Sequence, residues 1–344
     1  MSAIKEFFQE YNNETISKIT LKNNDMTVSL LSYGATVHEI IFDNVDVAVG
    51  FKTIEEYAKS GTYAGAVVGR CANRLGDGKA YIDGKIYEFA KNDNNINHLH
   101  GGNIGYKDIN WEIEEIKDTD EPSVTFFYLD KDGHENYPGT VKICVTYTLR
   151  KANSLHLHYH ATTDKTTIIN PTNHTYFNLN GHDSGDVTNH ILYINSDYYT
   201  PISENLIPTG EIRNVTGTPF DFRKPKAMKE DIDCDDDDLK FAGGYDHNFV
   251  LNTSDLTKPS VTVVGDKTGI HMDVYTNMPG IQLYGGNFMD GSDIHKSTKP
   301  LTKRGALCLE TQFFPDTPNK PMFPSCEFNP DEEYESDTIY RFYK

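Results

Sequence analysis

Glu310 stands in Gly305-Ala-Leu-Cys-Leu-Glu-Thr-Gln-Phe-Phe314, a stretch that reads as a strand. In an extended chain Glu310 and Gln312 point the same way as Ala306 and Cys308, flanked by Leu307 and Leu309. A carboxylate there is costly to bury unless it is paired or has a proton to move. Desolvation would push its pKa upward, toward that of a better general base, whereas a strand end reaching water would leave it ordinary. A second polar row lies in Asn170-Pro-Thr-Asn-His-Thr-Tyr-Phe-Asn-Leu179. Read as a strand, it sets Thr172, His174, Tyr176 and Asn178 on one face and Phe177 and Leu179 on the other. His and Tyr in place of Lys and Glu suit a cleft with hydrogen bonds to make, against the alternative of a half-exposed strand. Asn97-His-Leu-His-Gly-Gly102 presents a histidine beside paired glycines, which allow close backbone approach to a ligand. In Gly69-Arg-Cys-Ala-Asn-Arg-Leu-Gly76, Asn73 and Arg74 can donate to hydroxyls or to a carboxylate.

Two further patterns compete. His156, His158 and His160 share one strand face, a spacing that supplies two of three ligands in some zinc sites, but that strand carries no carboxylate or thiolate to complete one. A polar sheet face is the plainer reading. Asp231-Ile-Asp-Cys-Asp-Asp-Asp-Asp238 fails as a calcium loop, since its sixth position is Asp236 instead of Gly and its twelfth is Ala242 instead of Glu. As a like-charge run it reads as a solvated loop. No Gly-x-Ser-x-Gly elbow, Walker loop or Gly-x-Gly-x-x-Gly helix opening is present.

The elements that must position these groups are strands. Val141, Ile143, Val145, Tyr147 and Leu149 alternate with polar residues, and Leu155, Leu157, Tyr159 and Ala161 alternate with the histidine row. Similar patterns predict strands at Ile16–Lys22, Met26–Ser32, Thr36–Phe42, Val124–Leu129, Val261–Val264, His271–Tyr275, Ala306–Phe313 and Thr338–Tyr343. Asp83-Gly84 predicts a type I′ hairpin between Ala80 and Tyr87. Helical periodicity is confined to Thr53–Lys59, with Thr53 as cap and Glu56 in the capping-box position. No βαβ rhythm, repeat or linker appears, so the reading is all-β, with packed antiparallel sheets in a single domain over residues 1–344.

Length and charge bound the rest. A chain of 344 residues can bury a large core without disulfides or a structural metal. A net charge of −19 makes nucleic acid and anionic membranes poor partners. No apolar run reaches membrane-spanning length, no signal peptide is visible, and the five scattered cysteines fit reduced thiols in the cytoplasm.

Taken together these segments resemble the aldose 1-epimerase (galactose mutarotase) family. The resemblance runs through Tyr33-Gly34, Gly69–Arg74, Asn97–Gly102, Thr172–Leu179, Tyr245-Asp-His-Asn-Phe249, Pro279-Gly-Ile-Gln-Leu-Tyr-Gly-Gly-Asn-Phe288, Leu309-Glu-Thr-Gln-Phe-Phe-Pro-Asp316 and Asn319-Lys-Pro-Met-Phe-Pro324, in the family's order over nearly the whole chain. It implies a large β-sandwich (supersandwich) with very few helices that interconverts the α and β anomers of free hexoses such as galactose and glucose, with no cofactor and no metal. By motif, Glu310 is the implied general base, His174 the general acid and His100 the second active-site histidine. Asn73, Arg74, Asp246 and Gln282 are the implied hydroxyl ligands, with Tyr176 nearby. His98 stands where some members carry Ser, so two histidines contest one role, and the Gly pair assigns it to His100. The Asp231–Asp238 run looks like an insertion. A monomer or homodimer acting on a small hexose is the expected assembly. The other readings are a carbohydrate-binding module of the same fold, a metal-dependent enzyme using the histidine row, and a hexose-phosphate 1-epimerase. The last would want a cluster of basic residues.

Overall fold

Val141–Arg150 and Ser154–Thr163 pair along their full length, and the alternation read from their residues divides core from surface. Val141, Ile143, Val145, Tyr147, Leu149, Leu155, Leu157, Tyr159 and Ala161 are all buried in one cluster, while the three histidines lie on the outer face. Each buried aliphatic side chain of this kind contributes about 1.5–3 kcal/mol relative to exposure, so a register slip of one residue would forfeit the whole face. These two strands are third and fourth in a nine-stranded sheet in a computed structural model that describes residues 1–344.

Two smaller sheets cover the inner face. A five-stranded meander, Ser2–Tyr11 to Val45–Asp46, meets it where Tyr147 donates its hydroxyl proton to the Ala35 carbonyl and Phe42 packs on Phe342. A six-stranded sheet runs in the order Tyr176–Phe177, Leu307–Gln312, Gly280–Tyr284, Asp246–Val250, Tyr198–Tyr199, Arg213–Asn214. It docks through Phe177 on Tyr340 and through the Tyr340 hydroxyl on the Leu309 carbonyl. Every ladder is antiparallel apart from the isolated Cys71–Asn170 bridge, and only two short α-helices occur. No helix is long and apolar enough to cross a membrane.

The predicted strands are present to within a few residues at their ends. The hairpin turns at Asp83 (φ 49°) and Gly84 (φ 69°), and the helix Ile54–Lys59 carries the Thr53–Glu56 capping box. Several strands were not anticipated, among them Ser2–Tyr11, Glu112–Lys117, Ile191–Ile194, Asp246–Val250 and Gly280–Tyr284. Ser2–Tyr11 alternates poorly, and Asp246–Val250 and Gly280–Tyr284 are covered on both faces, which erases the period-two signal.

The acidic run is the solvated loop expected of it over Asp231–Asp235, where Asp233 and Asp235 are exposed, and departs from it at the end. Asp236 caps the helix Asp237–Ala242 by accepting from the Leu239 N–H, and Gly243 (φ 64°) ends it. Asp238 is buried, accepting from the Tyr199 hydroxyl at 2.9 Å and the Ile202 N–H at 3.2 Å, with Arg213 at 3.3 Å. Asp231 pairs with Lys226 and Asp233 with Arg304. Cations brought from other segments relieve the self-repulsion that the local sequence implies.

Candidate active site

The six-stranded sheet has two unlike faces. Leu309 and Thr311 back onto the core, so Cys308 and Glu310 turn the other way, and Glu310 lines a cavity of about 280 Å³. Register places Tyr176 beside Cys308, and Gln282 between Glu310 and Asn248. Asn73, Arg74, His100, His174, Tyr176, Asp246 and Glu310 all line the cavity. Gln282 sits against it, its amide donating to Asp246 Oδ1 at 2.7 Å.

Glu310 is 2% exposed, so the strand end reaching water is excluded. Its Oε1 lies 3.7 Å from His174 Nε2, and its Oε2 has no partner within the protein. Burial pushes the Glu310 carboxyl well above the usual carboxylate range. The Asp246 carboxylate pushes the same way and the Arg74 guanidinium opposes. Burial drives the His174 imidazole down to about 4, and His100 falls well below its ordinary value through burial and the neighbouring His174 and Arg74. These directions set the pair's one proton on Glu310, where the expected bound state has it on His174. The two differ by one proton transfer.

The polar row Thr172–Asn178 is only partly as expected. The chain breaks pairing between Thr172–Asn173 and Tyr176–Phe177, so only His174 and Tyr176 reach the cavity. Thr172 instead donates to the Thr311 carbonyl, and Asn178 donates to the Gly185 and Gly305 carbonyls. Gln312 is fully buried with both amide atoms unpaired, outside the cavity wall.

His98 and His100 part company because His100 is left-handed (φ 52°). His98 is sealed away, with Nδ1 on the Ala90 carbonyl and Nε2 on the Tyr137 hydroxyl. His100 Nδ1 accepts from the Asn73 N–H at 3.2 Å, which leaves its Nε2 as the protonated nitrogen, a donor into the cavity. The glycine pair is required here: a Cβ on Gly101 would lie 1.7 Å from the Gly69 carbonyl oxygen.

Arg74 is held between two carboxylates, Asp93 at 3.0 Å and Asp246 at 3.5 Å. Asp93 escaped the sequence reading because nothing local marks it; it meets Arg74 only through the fold. Tyr63, Tyr284 and Phe288 also line the cavity. The last two lie within the Pro279–Phe288 motif, whereas Tyr63 carried no signal.

His100, His174 and Glu310 present atoms within 4.8 Å of one another, close enough to share an ion. Metal-bound histidines normally donate their other N–H to a carboxylate or carbonyl. Here His100 Nδ1 accepts from a backbone N–H and His174 Nδ1 faces the Cys308 thiol at 3.4 Å, an outer shell unlike that of a metal centre. The outer histidine row finds its carboxylate on the neighbouring strand. His156 and His158 both hydrogen-bond Asp337, and His160 meets Glu333 on the exposed surface.

Residues 17–341 match the family model described as aldose 1-epimerase. The chain is 39% identical to the galactose mutarotase of Mus musculus, over 95% of this chain and 94% of that protein. It is 37% identical to the aldose 1-epimerase of Escherichia coli over 94% of each. Among solved structures it is similar to a galactose 1-epimerase from Lactobacillus acidophilus, with TM-score 0.89 and 30% identity over 100% of this chain and 99% of that one. A GalM/aldose epimerase homologue from C. elegans gives TM-score 0.85 and 32% identity over 95% and 98%. With a buried acid–base pair in its cavity and these relatives along almost its whole length, the chain belongs to the aldose 1-epimerase family.

Proposed function

We propose that this chain is an isomerase that interconverts the α and β anomers of free hexoses by general acid–base catalysis, with Glu310 and His174 as the proton-transferring pair. The observation that carries the roles is one buried carboxylate 3.7 Å from one buried imidazole in the cavity, with its second oxygen unpartnered. Glu310 takes the proton from the anomeric hydroxyl while imidazolium His174 delivers one to the ring oxygen. The C1–ring oxygen bond breaks, C1=O forms, and rotation about C1–C2 precedes closure on the other face. Closure returns both protons. Opening therefore converts carboxylate and imidazolium into carboxylic acid and neutral imidazole, the pair of states that burial favours. The cavity thus lowers the cost of the open-chain state, and hydrogen bonds to the ring form offset the cost of the charged pair. Each positioned proton transfer is typically worth about 10²–10⁴ in rate.

Arg74, Asp246, Asn73 and Gln282 hold the far side of the sugar, and the His100 Nε2–H adds a donor near the reacting end. Gln282 Oε1 has no partner in the protein and so is available to a hydroxyl. Anchoring one end removes orientational freedom without resisting rotation at the other. A phosphosugar is disfavoured, because Arg74 is already bracketed by Asp93 and Asp246 and the wall adds Asp290 and Asp293. We take residues 1–344 as one such domain, acting in the cytoplasm in hexose metabolism. Five unpaired cysteines are in keeping with that compartment.

Polarimetry on freshly dissolved α-D-galactose and α-D-glucose tests the reading. Acceleration that survives EDTA establishes acid–base mutarotation and ranks the two sugars. Sugar binding by calorimetry without acceleration would reduce the protein to a binding module.

A further inference from the structure

We propose that Tyr63 is a positioning residue for the acid–base pair, its ring covering His100 and His174 so that both imidazoles stay oriented and shielded from water. The proposal rests on the reading of the site above. Tyr63 lines the cavity, with its ring centroid 4.6 Å from that of His100 and 5.9 Å from that of His174, the latter planes 25° apart. Its backbone is left-handed (φ 58°), a conformation that costs a tyrosine about 1 kcal/mol or more and persists where the surroundings enforce it.

The enforcing contacts come from the His174 segment itself. The Gly65 N–H donates to the His174 carbonyl at 3.0 Å, and the His174 N–H donates to the Ala66 carbonyl at 2.9 Å. The Asn173 amide donates to the Gly65 carbonyl at 2.9 Å. Gly65 (φ 71°) must be glycine, since a Cβ would lie 2.1 Å from the Val37 carbonyl oxygen. Ring and imidazole therefore ride on one hydrogen-bonded piece of backbone, and a shift of one carries the other.

The groups that face His174 are Glu310 and Cys308 from one strand, Tyr176 and Tyr284 from its neighbours, and His100. Arg74 and Asp246 lie further along the wall. On the Tyr63 side, the Lys107 ammonium, paired with Asp108, sits 5.4 Å from the ring centroid. The Tyr63 ring lies against both imidazoles on this side, and burial is the main cause of the low His174 proton affinity. Removing the ring lets water solvate the imidazolium and returns His174 toward its ordinary value of about 6.5.

Two variants test this: Tyr63→Gly, which suits a left-handed backbone and should fold, and Tyr63→Phe, which keeps the ring. NMR titration of the His174 ring is read beside the pH dependence of kcat/KM for galactose. Tyr63→Gly is expected to raise the His174 titration by about one pH unit or more and to move the acid limb of kcat/KM with it. Tyr63→Phe should leave both in place. An unmoved His174 titration in Tyr63→Gly overturns the proposal, as does a Phe variant that shifts like the Gly variant. A titration that moves while the acid limb stays upholds the cover and removes His174 from the rate-controlling protonation, so the two readings fail separately.

Discussion

Asp130 and Glu310 are both buried carboxylates with a cation or imidazole close by, and their surroundings push them in opposite directions. Asp130 is saturated with donors: Arg70 Nε at 2.7 Å, the Tyr106 hydroxyl at 3.0 Å and His134 Nδ1 at 2.7 Å. Arg70 is satisfied in turn by the Pro138 carbonyl and the Thr167 hydroxyl. Burial raises the Asp130 carboxyl, but the His134 and Arg70 hydrogen bonds and the Arg70 charge outweigh it and hold it below the ordinary range. Glu310 has His174 at 3.7 Å and nothing on its second oxygen, so burial wins and its carboxyl rises. A buried acid with donors on both oxygens is structural. One with a lone pair to spare, facing a cavity, can take a proton from a ligand. Arg70 and Arg74 stand four positions apart in one motif, the first sealed in the core and the second on the cavity wall.

The largest effect that would break this comparison is kinetic. Glu310→Gln and His174→Ala should each lower kcat by about 10²–10⁴ with sugar affinity largely kept. Near wild-type kcat in either variant would remove that residue from the proton transfers. Asp130→Ala should leave kcat per folded molecule roughly unchanged and cost about 3–5 kcal/mol of stability in urea unfolding, because Arg70 is stranded without its counter-ion. A loss under 1 kcal/mol would show that Asp130 has no structural role.

A finer test is the pH dependence of stability. The folded-state pKa of Glu310 is raised, so its contribution is intact below the unfolded carboxylate value of about 4.3 and lost as pH rises toward the folded value. Glu310→Gln should therefore be more stable than wild type at pH 7, with the gain fading toward pH 4. Asp130 is depressed, so its contribution is present above the unfolded value of about 3.9 and lost as pH falls through the folded one. The deficit of Asp130→Asn should accordingly shrink on acidification. Deficits of the same sign in both variants at pH 7 would contradict the contrast.

The mildest effect is on the pH–rate profile. One proton on the pair is the competent state, so kcat/KM should be nearly flat around neutrality. It should fall on the acid side near the His174 value of about 4, and on the alkaline side only above the raised Glu310 value. A rate still climbing below pH 4 would contradict the assignment.

Much of the frame was legible because its physics is local. Asp83-Gly84 can hardly do other than turn, Thr53 and Glu56 cap one helix, and the alternation of Val141–Arg150 survives folding unchanged. Gly280–Tyr284 was opaque as a strand, since a strand buried on both faces has no outer residues to be polar. Only the end of the acidic run, where Asp238 is buried, was hidden for a related reason: its partners, Arg213 and Tyr199, come from other segments.

By itself, then, the sequence determined an antiparallel β protein, the family, and the residue types able to do its chemistry, all of which follow from periodicity, turn chemistry and motif order. Only the tertiary structure decided that His98 is sealed against Ala90 and Tyr137, that Asp93 brackets Arg74, and that Tyr63 covers the imidazoles. It also decided that Glu310 is buried without a partner for its second oxygen while Asp130 has three donors. The reason is that proton affinity depends on solvent exclusion and on donors within about 3–4 Å, and both are set by segments that the chain order keeps far apart.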